Sequence, residues 1–461
     1  MTAELRIPIT LGEISRAIGN KRADLGRGHK QIGNFPVNRI VTDSREASAG
    51  DLFVALRGER FNGNDYIDEA RYHGAFTLSD ENKNADIFVT SALTALGDIA
   101  ALYKSRLKNL VTTVGITGSI GKTTTKGFLA SVLSRHMKVH ATRGNENNLL
   151  GVPLTVFSAP PDTELLIIEA GMNHTGELSE ISRMITPDLA VITNIGTAHI
   201  GNFCSRQAIA KAKLELLEHA TVDASLFVPY GEPLLSSASA ITVAEGYEKR
   251  ADFSIVRERA SGHLSGDFYK RGERLFGFST SITAGQLFPA LGLAFAVCCR
   301  LGMEPSEISS ATAYLSDTDT RLRSFKVGEL TVIDDAYNSS LEALKGALLH
   351  LCGIDARPRC ALLGDILELG DMAEAIHYEA GRLAAESLDM LYVCGEYKNA
   401  VIRGARDNGL AAENIRVLDS TDPEGIASII KAELVRGVLL IKGSHATGLY
   451  RVPRILLKYG G

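Results

Sequence analysis

An α/β fold of three domains is what this sequence predicts, and three observations carry it. Its 461 residues exceed what one hydrophobic core fills, since domains run to roughly 100–200 residues. From about residue 109, apolar strands alternate with amphipathic helices, the pattern of βαβ units and a parallel sheet. Near residue 322 the alternation starts afresh. The boundaries are therefore read as 1–108 for a smaller N-terminal α/β domain, 109–321 for a central parallel-sheet domain, and 322–461 for a C-terminal doubly wound, Rossmann-like domain.

Composition narrows the class further. Apolar residues make up 45% and charged ones 22%, enough to bury several cores, so disorder and fibrous folds are excluded. Lys and Arg total 49 against 54 Asp and Glu, a net charge of -5. That leaves no basic excess for a phosphate backbone, and nucleic acid is not the expected partner. The longest apolar run, FPALGLAFAVCC over 288–299, falls short of the ~20 residues of a membrane span and contains Pro289 and Gly292, so it reads as a buried helix. The opening MTAELRIPIT carries Glu4 and lacks an export signal's apolar core, which makes the cytoplasm the expected location; separately, a monomer is the expected state. The six cysteines show no CxxC pair and read as reduced, mostly core thiols.

In chain order, the first region offers short strands at 39–42 and 51–56 with a helix or two. The central region offers strands at 111–116, 138–140, 165–169 and 189–193, and helices at 124–136 and 206–219. The helix at 124–136 puts Phe128, Leu129, Val132 and Leu133 on one face, as packing on a sheet requires. Residues 222–285, richer in Gly, Ser and Arg, read as a small antiparallel extension. The last region offers strands at 330–333, 360–363, 390–394, 415–418 and 437–441. In open parallel sheets, ligands bind at the C-terminal strand edge, so the loops after 116, 169 and 193 draw attention.

The first of these is the most telling. Strand 111–116 runs into Thr117-Gly118-Ser119-Ile120-Gly121-Lys122-Thr123-Thr124 and then directly into a helix. Glycines let backbone N–H groups turn inward on a polyphosphate, and the helix N-terminus adds a favourable dipole. Lys122 reaches the outer phosphates, and Thr123 offers a hydroxyl to magnesium. The common GxxxxGK[ST] pattern would need glycine at Ile116, so this is a variant of a P-loop.

With TGSIGKTTT stand Thr142-Arg143-Gly144-Asn145-Glu146-Asn147-Asn148, Gly151-Val152-Pro153, Glu169-Ala170-Gly171-Met172-Asn173-His174, and Ala198-His199. Together they resemble the Mur ligases. TDSREASAGDLFVALRGERFNGNDYI resembles the UDP-sugar-binding domain of the type that adds D-alanyl-D-alanine, and IDDAYNSS, LGDILELG and IKGS resemble its C-terminal domain. The resemblance covers nearly the whole chain. It implies an ATP-dependent amide ligase that activates the terminal carboxylate of a UDP-linked muramoyl tripeptide as an acyl phosphate and couples it to D-alanyl-D-alanine.

The same resemblance implies residue roles. Lys122, Glu169, His199 and Lys213 would be catalytic, with Thr123, Glu169, His199 and Lys213 holding two Mg2+ ions. Gly118, Ser119, Ile120, Gly121, Lys122, Thr123 and Thr124, with Arg321, Asp335, Tyr337 and Asn338, would bind ATP. Lys213 matches the lysine this family carbamylates, whereas Lys211, nearly opposite on the helix, reads as a solvated lysine. Asn145, Asn147, Asn148, Asn173, His174 and Lys442 would meet substrate, although loop asparagines are also ordinary turn formers. Ser44 and Arg45 would meet the UDP moiety, or else serve as a helix cap and an ion pair.

Four positions depart from the family pattern: Gly285 to Pro289 replace an Asn-rich stretch, Thr320-Arg321 replaces Gly-Arg, Ser339-Ser340 end a YNAN-like motif, and His445 replaces Arg. Those changes bear on adenine and dipeptide contacts. A related ligase using another amine, or a nucleotide-binding scaffold that has lost ligation, stay open as alternatives.

Overall fold

Three sheets organise the described residues. The computed structural model describes residues 2–19, 24–25, 32–58, 61–236, 238–258, 263–316, 323–418 and 422–458. The first sheet has six strands, in the order Thr2–Thr10, Pro36–Val41, Leu52–Val54, Phe76–Ser79, Ile87–Phe88, Asp24–Leu25. Its inner pairs are parallel and its two outermost pairs antiparallel.

Nine strands form the second sheet, in the order Glu273–Ser279, Ser265–Lys270, Phe253–Arg257, Ile241–Glu245, Ser225–Pro229, Leu189–Ile192, Thr112–Thr117, Leu165–Glu169, Val139–Ala141. Strand Leu165–Glu169 is buried along its whole length, as an unbroken LLII run between parallel neighbours demands. The expected antiparallel extension at 222–285 needs correcting. Ser225–Pro229, Ile241–Glu245 and Phe253–Arg257 pair in parallel, and only the last two strands are antiparallel. The physical reason lies in the connections. Residues 230–240 and 246–252 are long enough to return the chain to its starting end, whereas Arg271 and Gly272, both at positive φ, close a tight hairpin.

The third sheet runs Arg323–Val327, Glu329–Asp335, Arg436–Lys442, Arg359–Leu363, Met390–Val393, Ile415–Val417, parallel except for its first pair. Its core joins Leu330, Val332, Leu362, Tyr392, Leu439 and Ile441 to Val452 and Leu456 of the last helix. The five strands expected in this region are present; the antiparallel edge strand Arg323–Val327 is an addition.

The apolar run at 288–299 forms a helix, Phe288–Arg300, buried against the sheet. A Cβ on Gly292 would come within 2.9 Å of Ile255 Cγ2, so glycine sets the close approach. The helix expected at 124–136 is Lys122–Leu133: Gly121, at φ 84, turns the chain just before Lys122, and the N–H groups of His136 and Met137 both bond the Leu133 carbonyl in a closing turn. The helix expected at 206–219 is α-helical over Arg206–Leu214 and tightens into a 3₁₀ turn at Glu215–Leu217, where Glu215 accepts from the Gly176 N–H at 2.8 Å.

By packing, the chain forms two compact units, Met1–Thr117 with Leu133–Val191 and Ala212–Leu226, and Gly118–Val132 with Ile192–Lys211 and Phe227–Gly461. Among the described residues no helix is long and apolar enough to cross a membrane. Of the described cysteines, Cys204 alone is exposed. Burial pushes the Cys299 thiol up to about 11 and those of Cys360 and Cys394 to about 12, and Cys298 is raised further by its complete burial.

Candidate active site

The phosphate loop follows strand Thr112–Thr117 without a break. Gly118 sits at φ 148 and Gly121 at φ 84, backbone conformations that only glycine adopts without strain. A Cβ on Gly118 would lie 1.8 Å from Thr193 Oγ1, so the loop is a cradle a larger residue would fill. Lys122 Nζ donates to the Gly118 carbonyl at 2.6 Å, which folds the lysine over the loop it would share with a polyphosphate. Thr123 and Thr124 open the helix, and Thr124 is buried.

A second loop, residues 193–199, straps this cradle from one side. Ile120 N–H donates to Asn194 Oδ1 at 2.9 Å, Thr193 Oγ1 donates to the Ile120 carbonyl, and Gly196 N–H donates to Ser119 Oγ at 2.9 Å. The other side of the strap meets the C-terminal region. Thr197 gives both its N–H, at 2.8 Å, and its hydroxyl, at 3.2 Å, to the Glu342 carboxylate. His199 Nδ1 bonds Glu368, and Gly201 N–H donates to the Glu368 carbonyl at 3.0 Å. Asn194, Gly196, Thr197, Glu342 and Glu368 are absent from the sequence expectation. A polar residue just past the end of a parallel strand was the available signal for Asn194, and the LGDILELG motif that for Glu368; nothing local marks Glu342.

In the other compact unit, Glu169 ends its strand in register with Ile116, two residues before the loop begins. It is fully buried, accepts from Asn147 Nδ2 at 2.9 Å, and its N–H is tied to Thr142 Oγ1 at 3.0 Å. Asn147 is in turn held by its carbonyl, which takes the Gly171 N–H at 2.7 Å. Asn148 is committed to the chain itself, its Oδ1 accepting from Leu150 and Gly151 N–H as a helix cap. Asn145, Asn173 and His174 are exposed. Lys213 is 3% exposed, whereas Lys211 is exposed.

Ser44 and Arg45 are engaged locally. Ser44 Oγ donates to Glu69 at 2.5 Å, and Arg45 pairs with Asp43 at 2.6 Å, holding the Asp43 carboxyl down at about 2.

On the third sheet, Lys442 is buried and bonds Asp335 Oδ2 at 2.6 Å and the Asn338 carbonyl at 3.1 Å, so three expected nucleotide or substrate residues share one knot. Tyr337 meets the His445 ring edge-on at 5.3 Å, and His445 stacks flat on Tyr450 at 4.4 Å. Arg321 lies outside the described residues.

Two family models match the chain, the Mur ligase middle domain over residues 116–276 and the Mur ligase family catalytic domain over 36–100. A Bacillus subtilis relative, UDP-N-acetylmuramoyl-tripeptide--D-alanyl-D-alanine ligase, is 33% identical over 92% of this chain and 93% of its own length. The chain belongs to the Mur ligase family. The Escherichia coli ligase of the same name is 27% identical across 98% of this chain and 99% of its own. Among solved Mur ligases, MurF from Acinetobacter baumannii superposes with a TM-score of 0.85 at 26% identity, covering 99% of this chain and 100% of that one. MurF from Thermotoga maritima, in complex with ADP, superposes at 0.78 with 27% identity over 91% and 97%.

Two departures of this Mur ligase from its family pattern gain a structural account. Ser340 caps helix Leu341–Cys352, its Oγ accepting the Ala343 N–H at 3.2 Å. In the stretch that lost its asparagines, Gln286 restores an amide, and both its Oε1 and Nε2 are buried with no hydrogen-bond partner among the described residues. Buried amide atoms without partners are costly.

The fit to nucleotide and metal rests on these features. The glycine cradle suits the polyphosphate of ATP. Among the described residues no three His, Cys, Asp or Glu side chains converge. Mg2+ favours oxygen donors and completes its shell with phosphate oxygens and water; the Thr123 hydroxyl and the Glu169 carboxylate are of that kind, and His199 offers a neutral nitrogen.

Proposed function

We propose that this enzyme adds D-alanyl-D-alanine to UDP-N-acetylmuramoyl-tripeptide at the expense of ATP, in peptidoglycan precursor synthesis. The observation that carries the reading is the phosphate cradle in a chain matched nearly end to end by ligases of that name. A free carboxylate is a poor electrophile, so it attacks the outer phosphorus of ATP and expels ADP. The dipeptide amine then attacks the carbonyl carbon, loses its proton, and phosphate leaves.

The chain's own residues supply position and charge, which dominate phosphoryl transfer. Gly118 to Thr124 orient the polyphosphate, and Lys122 neutralises charge building on the transferred group. Asp335, Tyr337, Asn338 and Arg321 complete the nucleotide site. Ser44, Arg45, Asn145, Asn147, Asn148, Asn173, His174 and Lys442 hold the two substrates. Thr123, Glu169, His199 and Lys213 would hold two Mg2+ ions, which when bound draw charge from the phosphate oxygens. Burial of Lys213 favours the neutral amine that carbamylation needs, and the carbamate turns a cation into an anionic ligand.

The domain division 1–108, 109–321 and 322–461 follows the three sheets. A monomer acting in the cytoplasm completes the reading.

The test is phosphate release from ATP and Mg2+ with the UDP-linked tripeptide, adding D-alanyl-D-alanine or single amino acids in turn. Release that needs both tripeptide and dipeptide, with a product heavier by the dipeptide, is expected; release with a single amino acid instead would move the substrate, and none at all would leave a scaffold. For the carbamate, activity should depend on bicarbonate and Lys213→Ala should be far weaker than Lys211→Ala, whereas equal variants would remove it.

A further inference from the structure

We propose that Glu368 is a positioning residue for His199: it holds the proton on Nδ1 and so presents Nε2 as the metal-facing nitrogen. The inference rests on the reading of His199 as a Mg2+ ligand and adds a residue that this reading leaves out. A carboxylate only accepts hydrogen bonds, so the contact between Glu368 and His199 Nδ1 requires the ring to carry its proton there. The lone pair then belongs to Nε2. Ligating histidines depend on such a partner to fix tautomer and ring angle.

The backbone is shaped for this contact from both sides. His199 lies at φ 63 and Glu368 at φ 64, left-handed conformations uncommon outside glycine, and they face each other. Strained residues in apposition point to a role beyond folding. The segments are joined a second time by the Gly201 N–H to the Glu368 carbonyl. A Cβ on Gly201 would stand 2.5 Å from the Gly370 nitrogen, so no larger residue permits the approach.

Behind Glu368, each preceding residue is anchored. Asp365 accepts from the Glu396 and Tyr397 N–H groups at 2.8 and 3.0 Å. Ile366 N–H donates to His377 Nε2 at 2.9 Å, and Leu367 N–H donates to Ser444 Oγ at 3.0 Å. His377 shows the same device inside this protein: its Nδ1–H is spent on the Ala373 carbonyl, which leaves Nε2 to accept. The LGDILELG run is thus a rigid arm that delivers one carboxylate to one imidazole.

The experiment labels the histidine rings of the full-length enzyme with 15N and assigns His199 by its loss in His199→Ala. In the metal-free protein, His199 should show the Nδ1–H tautomer; Glu368→Ala should lose it, and Glu368→Gln, whose amide oxygen still accepts, should keep it. In parallel, the Mg2+ concentration for half-maximal activity should rise about tenfold in Glu368→Ala and recover largely in Glu368→Gln, the usual scale for loss of a ligand's supporting bond. An Nε2–H tautomer in the native enzyme, or an unchanged spectrum in Glu368→Ala, overturns the proposal. Failure of the underlying reading is separate: His199→Ala would leave the Mg2+ dependence unmoved, and Mn2+ added with ADP would not broaden the His199 ring signals.

Discussion

The phosphate loop and the strap beside it are bonded to each other but are specified in opposite ways. Residues 117–124 carry their chemistry in a contiguous run, glycine by glycine to the lysine. The strap at 193–199 acquires its role from partners far off in sequence: Asn194 bonds Ile120 across 74 residues, Thr197 bonds Glu342 across 145, and His199 bonds Glu368 across 169. The loop is a ligand cradle in any parallel sheet that presents it. The strap has meaning only once both its neighbours have folded.

That contrast can be broken experimentally, and the largest effect belongs to the local motif. Gly118→Ala places a Cβ on Thr193 Oγ1, and ADP affinity by calorimetry should fall by at least about 100-fold, as a loss on the order of 3 kcal/mol gives. Native affinity would mean that the cradle does not hold the phosphates. Removing the far anchor comes next. Glu342→Ala leaves the Thr197 N–H and hydroxyl without their charged acceptor, and kcat/KM for ATP should drop about tenfold, the scale of a charge-assisted bond partly open to water. If Glu342→Ala leaves kcat/KM unchanged, the strap is not coupled to that helix.

Asn194→Ala removes one neutral acceptor from the Ile120 N–H, and a rise of about fivefold in KM for ATP is expected from a bond of roughly 1 kcal/mol. An effect as large as that of Gly118→Ala would make the strap an equal partner in binding. The smallest effect lies outside both loops. Lys104 is half-buried, bonding the carbonyl of Ile185 and, at 2.7 Å, Thr186 Oγ1, and burial holds its ammonium down at about 8. Because the folded value lies below the unfolded one, the unfolded chain binds more protons between pH 8 and about 10.5, and native stability gains with rising pH across that window. Lys104→Met should abolish that slope relative to the native protein in denaturant titrations at stepped pH; parallel curves would contradict it.

What was legible in the sequence follows the same division. The strands at 165–169 and 189–193 and the helix at 288–299 were readable because apolar runs between parallel neighbours have no other stable home. Glu169 and Lys213 were readable as residues, and the structure adds that both are buried. The parallel pairing within 225–257 was not readable, since connection direction depends on loop geometry that short strands and turn residues leave undetermined. Gln286 was hidden because it stands where the family pattern has asparagines, and its orphaned amide appears only when the surrounding core is closed. Glu342 looks like any helix-start glutamate, and Glu368 is only one letter of the LGDILELG motif, until the strap lies against them.

The distribution of thiols has a practical consequence. An alkylating dye reacts with thiolate, and Cys298, Cys299, Cys360 and Cys394 are held as thiols by burial, while Cys204 is exposed at the end of the four-residue helix that begins right after His199. With no tryptophan in the chain to compete for light, a fluorophore on Cys204 would give the strap its own optical signal. Once the half-buried Cys352 is replaced, Cys204 is an attachment point from which movement of the strap can be watched in real time, without engineering the residues that do the chemistry.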